Sequence, residues 1–189
     1  MKAVTNRIVL PRGRRATEVA SFFAQLDELS GRMVEDVRGA TPAELAWQSK
    51  RGHNTIGMLL LHIAIVEAFW TLVAEERFSP AALRRALGVD LDDDGMPLPP
   101  AGLPPAALRG RTLAWYTNVL RRARAFARRR TARFTRADLD RVITRTRRNG
   151  ERVRQNIRWI LYHVLEHQAG HYGQVLLLRH HYADRRRAR

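Results

Sequence analysis

Apolar residues recur along the chain at helical spacing. Val19, Phe22, Phe23, Leu26, Leu29, Met33, Val34 and Val37 predict a first long helix over about 17–37. Gly39 stops it, and Thr41-Pro42-Ala43-Glu44 reads as a capping box opening a short helix. After a turn at 52–54, Thr55 is placed to cap a second long helix carrying Ile56, Leu59, Leu60, Ile63, Val66, Phe69, Trp70 and Val73. Ser79-Pro80 opens another short helix to Leu87. Residues 88–105 hold five prolines, three glycines and the acidic run Asp90, Asp92, Asp93, Asp94, and read as a solvated connection. The spacing and closing glutamate of an EF-hand are missing there. A third long helix is predicted over about 105–130 on Leu108, Leu113, Tyr116, Val119, Leu120 and Phe126, then a turn-rich patch over 131–150, then a last helix over about 151–182. No strand-like alternation of useful length and no internal repeat appears. The pattern predicts an all-α four-helix bundle with long crossover connections over 16–182, between basic tails at 1–15 and 183–189.

With 189 residues and 45% hydrophobic content, the chain is long and apolar enough for one folded domain with a sizeable core. It has no cysteine, so disulfides, thiolate ligands and a cysteine nucleophile are excluded. The first fifteen residues are polar and basic with no apolar signal core, and the expected location is the cytoplasm. The run 56–74 is long enough to span a bilayer, but His62 and Glu67 lie well inside it. A central helix wetted only at a functional site explains it better, and no membrane partner is expected.

The net charge of +16 is almost all arginine. Between positions 109 and 158 stand 17 arginines against Asp138, Asp140 and Glu151. Such a run could grip phosphates. It lacks interleaved aromatics for base stacking, and no recognition motif accompanies it. A solvated helix face is expected, with no specific nucleic-acid binding.

Seven histidines change the picture. His163, His167 and His171 follow one another at steps of four on the last predicted helix. Each lies only about 40° round from the one before. Two imidazoles so placed converge on one ion, and His62, in the middle of the other strongly apolar helix, is the natural third. A competing pattern is His163-Val164-Leu165-Glu166-His167, which fits the H-x-x-E-H motif of inverzincin peptidases.

The stretch from Asn54 through His62, followed by Glu67 and Trp70, resembles the first signature of the DinB/YfiT-like superfamily. The stretch from His163 through Gln174 resembles its second. The resemblance covers about 17–182 and implies a four-helix bundle, often dimeric, with a three-histidine divalent metal site. Its ligands fall on His62, His167 and His171. His163 falls one turn away, as a residue that supports the site or touches substrate. Tyr172 departs from the family pattern, in which many members have arginine. Glu67 and Glu166 are candidates for orienting a ligand imidazole.

Zinc is expected first and nickel second; imidazole ligands suit both, and ligand type alone does not separate them from iron or copper. Three protein ligands leave a position open for water or substrate, as catalytic sites do. The resemblance implies a metal-dependent enzyme, foremost a transferase that joins a low-molecular-weight thiol to a small electrophile. Arginines near the mouth would then hold the thiol's carboxylates. The alternatives are a metal-dependent hydrolase, a metal-binding stress-response protein without catalysis, and a basic nucleic-acid-associated protein. A homodimer is expected from the resemblance, helped by adjacent Phe22 and Phe23, which cannot both point at one narrow core stripe.

Overall fold

The computed structural model describes residues 17–146 and 150–188. The basic stretch 1–15 lies outside the described residues. The described chain is predominantly helical: α1 (Thr17–Asp36), α2 (Pro42–Leu45), α3 (Ile56–Ala74), α4 (Pro80–Leu87), α5 (Leu113–Thr131), α6 (Arg136–Asp140) and α7 (Ile157–Arg187). Between α6 and α7 the strands β1 (Val142–Thr146) and β2 (Arg152–Asn156) form an antiparallel pair.

Helix α3 is the centre. It touches α2, α4, α5 and α7 and is buried at every position except His62, Val66 and Phe69. It is also long and apolar enough to cross a membrane, with mean hydropathy 2.0, and 83% of the qualifying window is buried inside the fold. Close approach depends on Gly57, where an added Cβ would come within 2.4 Å of the buried Tyr116 hydroxyl. Phe22 and Phe23 are both buried, 8% and 5% exposed, with Leu26, Trp70, Ile160 and Val164. They do not call for a partner subunit.

The caps are local and mostly as predicted. Thr55 accepts from Met58 N at 3.2 Å and Ser79 from Ala82 N at 3.1 Å. Thr41 accepts from Glu44 N, but the Glu44 carboxylate turns away to Arg179 at 3.0 Å, so only half of that predicted capping box forms. A reciprocal box forms at Thr135 and Asp138 instead.

Four predicted details need correction. The third long helix does not begin near 105. Residues 106–108 form a 3₁₀ turn, Gly110 takes a left-handed φ of 76°, and Thr112 caps α5 at Trp115 N. The last helix does not begin at 151, because 152–156 pair as a strand, with Ile143 opposite Gln155. That hairpin overturns the helices-only expectation. Its pattern was hidden because Ile143 is the one buried apolar residue of β1 while Gln155 occupies the buried position of β2. Asn156 then caps α7 by accepting from Trp159 N at 2.9 Å. Finally, α7 runs to Arg187, beyond the predicted end near 182.

Candidate metal centre

The three non-buried residues of α3, His62, Val66 and Phe69, stand at steps of four and three, which makes one stripe of the helix. That stripe is where the central helix reaches solvent, and His62 heads it. Opposite, α7 presents His167 and His171 one turn apart. His62, His167 and His171 come together so that one ring nitrogen from each lies within 4.8 Å of the others. His62 Nε2 is 3.1 Å from His167 Nε2, and His167 Nε2 is 3.1 Å from His171 Nε2.

The outward nitrogens set the tautomers. His62 Nδ1 donates to Asp94 Oδ2 at 2.7 Å, and His171 Nδ1 donates to Gln174 Oε1 at 2.8 Å. Each ring so held, in its metal-binding neutral form, has its Nε2 lone pair on the side of His167 Nε2. One proton on His167 Nε2 can serve only one of the two. A cation serves all three nitrogens at once. Ligand bonds of about 2.0–2.1 Å in a tetrahedral shell place neighbouring nitrogens about 3.3–3.4 Å apart. The observed spacings are close to that, and the all-imidazole donor set fits a divalent ion.

Electrostatics agree. Burial lowers the pKa of His167 from 6.5 to about 3, and the neighbouring His171, His62 and His163 push the same way. Burial also lowers His171, more than its bond to Gln174 raises it. Neutral imidazoles are the form that binds metal.

Asp94 is a residue that sequence reasoning missed. The stretch 88–105 was expected to be a solvated connection, yet Asp94 is 2% exposed. Its Oδ1 accepts from Met96 N at 2.9 Å while Oδ2 holds His62. Gly95 makes the turn behind it with φ of 69°, and a Cβ there would stand 2.5 Å from Pro105 Cγ. The available signal was an aspartate followed by glycine where the acidic run gives way to an apolar, proline-rich one.

The other candidates are placed differently. His163 stacks on Trp159 at 4.9 Å and meets the edge of Trp70 at 5.2 Å, with its ring 5.8 Å from that of His167. Glu166 is exposed and pairs with His163 at 3.6 Å, so the H-x-x-E-H residues do not assemble around the convergence point, which takes His171 instead. Glu67 does not orient an imidazole. It is 2% exposed and takes Arg124 in a two-pronged grip at 2.7 and 3.2 Å. Arg124 also donates to Asp27 at 2.7 Å and to Ser30 and Gln168 at 3.1 Å. This buried polar layer ties α1, α3, α5 and α7 together beside His167. Tyr172 donates to Asp36 on α1.

A cleft of about 290 Å³ opens beside His62, lined also by Ile65, Val66, Phe69, Trp70, Leu91, Asp92, Asp94 and Met96. No arginine is among these described lining residues, contrary to the expectation of arginines at the mouth. Many arginines are instead engaged within the fold: Arg130 with Glu75, Arg141 with Glu76, Arg158 with Glu18 and Asp140, and Arg128 with Asp27.

Comparison with protein families matches residues 25–175 to the DinB superfamily. Comparison with curated proteins finds no match.

Proposed function

We propose that this chain, which belongs to the DinB superfamily, is a metal-dependent transferase that joins a low-molecular-weight thiol to a small electrophile at the His62, His167 and His171 centre. The observation that carries the reading is the convergence of three imidazole nitrogens beside a solvent-accessible cleft. Three protein ligands leave a coordination position for solvent or substrate, as catalytic sites do. A divalent ion bound there, zinc first and nickel second, supplies charge that favours ionisation of a thiol.

The reaction balances simply. The sulfur of RSH forms a bond to the carbon of R′X, the C–X bond breaks with its electron pair going to X, and the thiol proton leaves with X as HX. The chain's own contribution is placement. Asp94 and Gln174 fix two ligand rings, and the buried Arg124–Glu67–Gln168 layer holds α7 in register against α3. Trp70, with the stacked Trp159 and His163, forms an aromatic wall.

The test is elemental analysis of purified protein, followed by a panel of thiols with a chromogenic electrophile. Thiol-dependent turnover that disappears with His171→Ala is expected. Stoichiometric metal with no turnover for any thiol would replace the transferase reading with that of a metal-binding protein without catalysis. We also read the four long helices as a four-helix bundle with long crossovers, and propose a cytoplasmic homodimer. A mass of one chain by light scattering at tens of micromolar, an order of magnitude suited to a specific interface, would refute the dimer.

A further inference from the structure

The cleft beside His62 has a chemistry at odds with the rest of the molecule. In a chain of net charge +16, the charged residues lining it are both acidic. Asp94 is buried under His62, and Asp92 stands exposed at the rim. The remaining wall is Ile65, Val66, Phe69, Trp70, Leu91 and Met96. Arg145 comes close, but its guanidinium lies over the faces of Trp70 and Phe69, 4.6 and 5.8 Å from their centroids, and it does not line the cleft.

We infer that this cleft takes an uncharged, apolar, preferably flat group of the substrate and selects against carboxylates. The inference rests on the metal-centred reading above and adds the substrate class. The three histidines are neutral ligands, so Asp92 and Asp94 together balance the charge of a divalent ion. An incoming anion therefore meets no net attraction, loses its hydration against six apolar side chains, and passes the exposed Asp92 carboxylate at the rim. A flat apolar group meets the opposite situation. Phe69 and Trp70 give it aromatic neighbours, and the adaptable Met96 lines the same cleft. The volume of about 290 Å³ is at the low end for small-molecule sites, enough for a single substituted ring.

Two thiols of one shape test this: 4-methylbenzenethiol and 4-mercaptobenzoate. Each is titrated into cobalt-loaded protein, and the sulfur-to-cobalt charge-transfer band reports binding. The neutral thiol should bind at least about tenfold more tightly, equivalent to about 1.4 kcal/mol. Asp92→Asn, a change at an exposed position, should narrow that ratio, and Phe69→Ala should weaken the neutral thiol alone. Equal or tighter binding of the carboxylate by the wild-type protein overturns the inference. If cobalt is not bound, the metal reading fails separately. The same two ligands, followed by tryptophan fluorescence on the metal-free chain, then decide the cleft's preference: a retained ratio supports it and an equal ratio refutes it.

Discussion

His62 is held from both sides. Asp94 takes the proton of its Nδ1, and the Nε2 faces His167 at 3.1 Å. Removing His62, His167 or His171 should abolish stoichiometric metal, while His163→Ala should leave most of it, because His163 is committed to Trp159 and Trp70. Elemental analysis of the four alanine variants decides this, and a site emptied by His163→Ala with His171→Ala still loaded would show the wrong histidine pair has been assigned. Asp94→Asn keeps the shape but weakens the acceptor, and metal affinity against a competing chelator should fall about 10–100-fold. An unchanged affinity would make Asp94 a loop anchor only. A pH effect follows from His167. In the folded, metal-free chain its pKa is about 3, against 6.5 for an ordinary histidine. Below 6.5 the unfolded chain takes up a proton that the folded chain refuses, so this contribution to stability is present above 6.5 and is lost progressively as pH falls toward 3. The urea midpoint of metal-free protein should therefore drop between pH 7 and pH 5, and the drop should be shallower in His167→Gln.

Among the elements, α3 and α5 are joined by more than apolar contact. Glu67 and Arg124 have side chains 3% and 13% exposed, and the guanidinium continues to Asp27, Ser30 and Gln168. Breaking such a pair strands a buried charge, whereas replacing both partners with apolar groups often does not. Arg124→Met should cost about 3–5 kcal/mol in urea unfolding. The double variant Glu67→Leu with Arg124→Met should recover much of that loss, and a double variant as unstable as the single would show that the layer is needed for more than charge balance. The hairpin β1–β2 sits at the start of α7 and carries Arg145 onto Phe69 and Trp70. It was illegible in the sequence because arginines and a glutamine stand where alternating apolar residues would have signalled strands. The long apolar runs of α1 and α3 were legible because burial follows the helical period in α1 and takes all but three positions of α3.

Over the whole molecule, the arginine excess is divided. Arg124, Arg128, Arg130, Arg141 and Arg158 are ion-paired to carboxylates, while Arg121, Arg122, Arg129 and Arg133 face solvent. The arginine run lacks the interleaved aromatics and the recognition motif that base reading needs. DNA binding should be indifferent to sequence and fall steeply with salt, by roughly 10³–10⁵ between 50 and 200 mM if six to ten phosphates are contacted. It should be unaffected by His62→Ala. Salt titrations with several duplexes check this, and tight binding of one sequence at physiological salt would make nucleic acid the leading partner.

The histidine spacing on α7 and the apolar run of α3 determined, from sequence alone, which helices face each other and which imidazoles are candidates. Helical periodicity and capping are local, so they are written in short stretches of residues. The choice of His171 over His163 rests on family resemblance, and in the structure it is His171 that clusters with His62 and His167. Asp94 lies 32 positions from His62, and Arg124 lies 57 positions from Glu67. Only the tertiary structure could decide that the first carboxylate holds an imidazole and the second holds a guanidinium. An aspartate in a proline-rich loop and a glutamate in an apolar helix carry no local mark of their partners, because the partner is chosen by the packing of distant segments and by the need to satisfy each buried charge.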